Sequence, residues 1–208
     1  MLTVLTVNYN TPELIKSLMY SFRQFYPDVP YLIVDGSEEQ YYEQIIEYAN
    51  KFNVSIHHFD YNIHHGPGMA YGMKIITTQQ ILLLDSDIRI IKGGFIEDLQ
   101  SKLLPDSYGI GGVSSVNPSG VNVDDNGIKY LHPACALLNR KIALQYPLPI
   151  KHGAPMIKTM EALPPLQQEP WVDEDLIHGL FDREHPMNRH YFIHEWSGTV
   201  SRTGGIHL

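Results

Sequence analysis

The chain of 208 residues holds one cysteine, Cys135. A single thiol excludes an intrachain disulfide and fits a reducing compartment. Long apolar runs are also missing; none nears the roughly 20 residues that a membrane-spanning helix needs. The opening stretch, MLTVLTVNYN, has no basic region and is too short for a signal peptide. Together these absences set the expectation of a cytoplasmic protein. Basic residues are in the minority, with 15 Lys and Arg against 23 Asp and Glu, a net charge of −8 and a pI near 5.7. That balance argues against a general nucleic-acid binder, which would carry a basic stripe, although a small local patch stays compatible with it. Internal repeats and low-complexity tracts are lacking. What is present is ordinary for one globular domain with a real core: 43% hydrophobic residues, and 11 histidines, many for this length.

The chain is organised around Ile81–Ile90, ILLLDSDIRI. Four unbroken apolar residues, Ile81 to Leu84, fit a central strand covered on both faces. Asp85, Ser86 and Asp87 follow. Residues i and i+2 of an extended chain point to one side, so two carboxylates can converge just past the strand's carboxyl end. Open α/β sheets bind ligands at that edge. Two adjacent like charges repel, and a divalent cation with oxygen ligands removes the cost. An acidic loop capping the next helix is the plainer alternative.

The rest of the chain supplies the sheet. Leu2–Val7 reads as a first strand ending in Asn8-Tyr9-Asn10. Thr11, Pro12 and Glu13 then mark a helix start, with Thr11 as N-cap and Leu14, Leu18, Phe22 and Phe25 at helical spacing. Tyr31–Val34 is a second strand that delivers Asp35-Gly36-Ser37, a turn or a ligand-binding end, to the same edge. A second helix carries Tyr41, Ile45, Tyr48, Ala49 and Phe52. Val54, Ile56 and His58 alternate as a third strand. The loop NIHHGPG, Asn62–Gly68, enters a helix bearing Met69, Met73 and Ile76. This alternation predicts a doubly wound α/β sheet, mostly parallel, with helices on both faces.

Beyond Asp87 the pattern predicts a helix over Phe95–Leu103, strands over Gly109–Val116 and Tyr130–Leu138, and a turn-rich loop, Asn117–Gly127, between them. Tyr146–Pro170 is studded with prolines, a character usual for functional or mobile segments. WVDEDLIHGLF reads as helical from Asp173, and Tyr191–His194 as an aromatic strand. His57, His58, His64 and His65 do not make a zinc site: no cysteine accompanies them, and adjacent histidines of an extended chain face apart.

Five stretches in order, LTVLTVNYNTPELIKSL, YLIVDGSEE, LLLDSDIRI, YLHPACALLNRK and VDEDLIHGLFDR, closed by IHEWSGT, resemble a family 2 glycosyltransferase with the GT-A fold. The resemblance implies a single catalytic domain over residues 1–208. Its nucleotide-sugar-binding half is 1–104 and its acceptor-binding half is 105–208, the latter containing the proline-rich segment 146–170. It implies an inverting, metal-dependent transfer from a nucleoside diphosphate sugar, UDP-sugar favoured, to an acceptor hydroxyl. By resemblance, Val7, Asn8 and Tyr9 lie beside the nucleobase and Asp35 accepts its hydrogen bond. Gly66 and Ser86 belong to the donor site, and Asp85 sits near the ribose and sugar. Asp87 and His194 hold the metal, Mn²⁺ or Mg²⁺, with the histidine favouring Mn²⁺. Asp175 is the base, with Glu174 beside it; Asp173 is near enough to compete for the role. The family's Arg-Asn-Gly is replaced within GPGMAYGMK, so Lys74 is either a donor contact or a solvated helix residue. Trp171 stacks on an acceptor sugar or belongs to the core.

The physical chemistry agrees with this reading. Transfer needs a carboxylate near the acceptor and a stabilised diphosphate leaving group. The acceptor is expected to be a glycan or related small molecule. Compact phage enzymes that glycosylate hydroxymethylated pyrimidines in DNA are the alternative. Two rivals of other classes are a sugar nucleotidylyltransferase, which would carry a Gly-rich basic loop where this chain has NYNTPE, and a non-catalytic nucleotide-sugar-binding module.

Overall fold

The computed structural model describes residues 1–123, 126–168 and 190–194. Its centre is a six-stranded sheet in the order β3-β2-β1-β4-β7-β6. The strands are β1 Leu2–Asn8, β2 Tyr31–Asp35, β3 Ser55–His58, β4 Gln80–Leu84, β6 Gly109–Val116 and β7 Ile128–Asn139. The first four pair in parallel, as the alternation with helices predicts. β7 runs antiparallel to both β4 and β6. The connection from β6 to β7 is a turn-containing loop, too short for the crossover that a parallel pair requires.

Both faces of the sheet are covered. Leu82 and Leu84 of β4 join one apolar cluster, while Ile81 and Leu83 join the other. The same alternation divides Tyr31 and Ile33 from Val34 in β2. On the first face lie α1 Pro12–Phe25, α2 Glu39–Lys51 and α4 Phe95–Lys102, which contribute Leu18, Phe22, Ile45, Phe95 and Leu99. On the second lie α3 His65–Ile75, α5 Arg140–Ala143 and α6 Ile157–Ala162, through Met69, Met73, Ala143, Ile157 and Met160.

Three local expectations change. Thr11 precedes α1 as predicted, but its hydroxyl makes no cap bond; it donates instead to Asn8 Oδ1 at 2.6 Å. The stretch NIHHGPG is loop only as far as His64, because α3 begins at His65. Pro67 is tolerated there because first-turn N–H groups have no helical partner. Gly68 and Gly72 let α3 lie close on β1: an added Cβ would stand 2.7 Å from Val7 Cγ1 and 2.3 Å from Leu5 Cδ1. Packing thus overrides the low helix propensity of glycine. Third, the proline-rich stretch is not bare loop. Up to Gln168 it contains α6 and α7 Pro165–Gln168, and Met156, Ile157, Met160 and Leu163 are buried. The helix expected from Asp173 lies outside the described residues.

Two short strands complete the architecture. β5 Ile88–Ile90 pairs antiparallel with β8 Phe192–His194, in the register Ile88 with His194. β8 agrees with the aromatic strand expected there; β5 was hidden in a three-residue apolar-polar-apolar pattern too short to carry a period.

Candidate active site

β1, β2 and β4 all end at one edge of the sheet: Asn8 and Asp35 close β1 and β2, and Asp85 follows β4. Asn8 is in register with Asp35. Its Nδ2 donates to Asp35 Oδ1 at 2.8 Å and to Ser37 Oγ at 3.3 Å. Asp35 is fully buried, and its two oxygens accept from Asn8 Nδ2, Ser37 Oγ at 2.7 Å, Ser37 N at 3.2 Å and the His58 ring, whose Nδ1 is 2.8 Å away. A carboxylate has about four acceptor sites, so this one is internally saturated. Asn10 closes the network: its N–H donates to Ser37 Oγ at 2.8 Å, from a left-handed backbone that asparagine tolerates. His58 also stacks on Tyr42, with ring centroids 3.7 Å apart. Val7 and Tyr9 are half-buried on either side of Asn8.

The second group follows β4. Asp85 N–H donates to Ala134 O at 3.0 Å, and Ile88 N–H to Asp85 O at 3.3 Å, so the chain turns at once. Ser86 and Asp87 are buried in this turn. The β5–β8 pairing brings in His194 from the far end of the described chain. His194 Nε2 lies 3.0 Å from Asp87 Oδ1 and 3.8 Å from Asp85 Oδ2. One ligand atom from each of Asp85, Asp87 and His194 falls within 4.8 Å of the others. Two carboxylate oxygens and an imidazole nitrogen at such spacing suit Mn²⁺ or Mg²⁺, and the nitrogen is the more natural partner of Mn²⁺.

Further histidines surround Asp85. His65, the first residue of α3, places Nε2 3.3 Å from Asp85 Oδ1. Burial would raise the Asp85 pKa, but the His65 hydrogen bond and the nearby charges of His65, His194 and His132 outweigh it and hold the carboxyl well below its usual range. Burial pushes the His132 imidazole down to about 4, against the pull of Asp85 and Asp87. His65 and His132 were not singled out as site residues by sequence. His132 reaches the edge because β7 is antiparallel, so its amino end meets the carboxyl end of β4. The strand direction, not a motif, is the signal.

Several other sequence expectations find their place. The paired histidines diverge: His57 bonds the Tyr71 hydroxyl at 2.9 Å, His58 bonds Asp35, and His65 faces Asp85. Lys74 is exposed on α3, the solvated-helix alternative. Gly66 lies where α3 meets the proline-rich segment; an added Cβ would be 2.4 Å from Lys151 N and 2.5 Å from Lys151 O. Asp173, Glu174, Asp175 and Trp171 lie outside the described residues.

The model of glycosyl transferase family 2 matches residues 3–160. A search of curated proteins by sequence finds no match. Among solved structures, the mannosyltransferase PcManGT of Pyrobaculum calidifontis, in complex with GDP-Man and Mn²⁺, is similar with a TM-score of 0.59 at 11% identity, covering 75% of this chain and 50% of that one. S. aureus TarS 1-349 in complex with UDP-GlcNAc is similar with a TM-score of 0.55 at 18% identity, covering 76% of this chain and 52% of that one. At these identities the likeness is one of fold. The chain spans about half the length of these structures. Among the described residues, no helix is long and apolar enough to cross a membrane.

Proposed function

The chain belongs to glycosyl transferase family 2 and is a glycosyltransferase of GT-A fold, and from that premise we propose that it moves a sugar from a nucleoside diphosphate donor to an acceptor hydroxyl with inversion. The observation that carries the proposal is the gathering of Asp85, Asp87 and His194 within 4.8 Å, one strand away from the Asn8–Asp35 network. The donor-binding half is residues 1–104 and the acceptor-binding half 105–208.

Asp87 and His194 hold the cation, and Asp85, near the ribose and sugar, adds its Oδ2 on the cation's side. A divalent metal bound there supplies Lewis-acid stabilisation of the diphosphate leaving group. Val7, Asn8 and Tyr9 flank the nucleobase. Asp35 selects a uracil-type base by accepting its N–H, for which one of its present donors, the Ser37 hydroxyl, gives way. Gly66 and Ser86 keep the backbone close to the donor. Asp175, with Glu174 beside it, takes the proton of the acceptor hydroxyl, which belongs to a glycan or related small molecule. The donor complexes of the structural relatives support a nucleotide-sugar, and the manganese of one supports the metal.

The test is a screen of nucleotide-sugars that reads release of nucleoside diphosphate with Mn²⁺ present, joined to calorimetric titration of UDP, TDP, GDP and ADP. UDP and TDP are expected to bind most tightly, since uracil and thymine present the same edge. Tighter binding of GDP or ADP would overturn the base assignment, and release of pyrophosphate instead of nucleoside diphosphate would overturn the reaction.

A further inference from the structure

The two oxygens of Asp85 face different partners. Oδ2 lies 3.8 Å from His194 Nε2, whereas Oδ1 lies 3.3 Å from His65 Nε2. His65 is itself held from three sides. The residue before it, His64, has φ 61° and ψ 159°, a backbone conformation natural only to glycine. The residue after it, Gly66, abuts the Lys151 backbone so closely that no side chain fits. Its ring also meets that of His152 at 6.4 Å between centroids. Strain of this kind persists only where the surroundings over-determine it. Here it fixes the first residue of α3, and with it the imidazole, against one oxygen of Asp85.

We propose that His65 is a positioning residue: by holding Asp85 Oδ1 it presents Oδ2 toward the cation site formed with Asp87 and His194. The proposal rests on the metal reading above. Its physical basis is that a carboxylate free to rotate pays the ordering cost when a cation binds, whereas one already hydrogen-bonded through its second oxygen does not. The Lys151 segment then has a part in the same arrangement, because it closes the space into which the start of α3 could retreat.

Mn²⁺ binding to the full chain without donor, followed by electron paramagnetic resonance, separates the possibilities. His65→Ala is expected to weaken Mn²⁺ binding about 10- to 100-fold, the usual scale for loss of an outer partner of a metal ligand. His65→Gln, whose amide can donate from nearly the same place, is expected to recover most of it. In turnover, His65→Ala should raise the Mn²⁺ concentration needed for half-maximal rate, with kcat regained at saturating Mn²⁺. Thermal melting of both variants reports whether they fold. An unchanged Mn²⁺ affinity in a folded His65→Ala protein would make His65 a stabilising contact only. A tighter affinity would make it a cation competing for Asp85. Either result overturns the proposal while leaving the metal site standing. Absence of Mn²⁺ binding by the wild-type chain would overturn the metal reading and the proposal with it.

Discussion

Individual side chains at the sheet edge divide into those that can meet a ligand and those that brace them. Asp35 is buried and saturated, so its first service is to tie the ends of β1, β2 and β3 together. Asp87 differs: its neighbours are another carboxylate and an imidazole, which suits a cation. Asp87→Ala is therefore expected to abolish EDTA-sensitive turnover while melting as a folded protein; full activity of this variant in excess EDTA would refute its role. Cys135 represents the opposite extreme. Burial in β7 raises its thiol pKa well above the usual range, with the Asp85 charge adding to the effect. Thiolate is the reactive form, so iodoacetamide should label Cys135 only as fast as the protein unfolds, and far faster in denaturant. Asn8, Asp35, Asp85 and Asp87 were legible in the sequence because each follows an apolar run that announces a strand end. His65 and His132 were not, because a single histidine carries no period and its partner is set by strand direction and helix start.

At the level of elements, the parallel core was readable from period alone, whereas β5 and its pairing with β8 were not. Strands of three residues take their stability from what they dock on: Ile88, Ile90 and Phe192 are buried with Phe95 of α4. Turns between elements hold an equally local determinant in Arg23. Its guanidinium, in the last turn of α1, donates to the carbonyls of Tyr26, Val29, Phe52 and Asn53 at 2.7–3.0 Å. One side chain thus ties the loop before β2 to the loop before β3. Bonds from a charged donor contribute roughly 1.5–3 kcal/mol each when well made, but this group is partly solvated and its bonds are not additive. Arg23→Ala should cost about 2–4 kcal/mol in urea unfolding. Arg23→Lys should recover little, since an ammonium lacks the planar fork. A loss below about 0.5 kcal/mol, the scale of ordinary surface substitutions, would show that the loops hold themselves.

Taken as a whole molecule, the chain assembles its edge from segments far apart in sequence: Asn8 near the start, Asp85 and Asp87 at the middle, His194 late. The last arrives through β8, and the stretch that joins α7 to β8 carries Asp173, Glu174 and Asp175. In sequence that stretch runs from α7 to β8, whose last residue, His194, lies beside Asp87. On the proposed function, a carboxylate from it would take the acceptor proton opposite the leaving group, which suits one in-line displacement and no covalent intermediate. If residues from Asp173 form a helix, as their pattern predicts, Asp175 occupies the first turn, where the helix dipole favours the ionised form. Such a base accepts a proton only as the acceptor hydroxyl becomes acidic during attack. Asp175→Asn is accordingly expected to keep donor and Mn²⁺ binding and to lose on the order of 10²–10⁴ in turnover. Removal of Glu174 should cost less. Anomeric configuration of the product by NMR, read together with the transfer rate, checks both halves of the argument. A retained anomer would demand a second displacement and a nucleophile, and a fully active Asp175→Asn enzyme beside an inactive Asp173 variant would move the base two residues upstream.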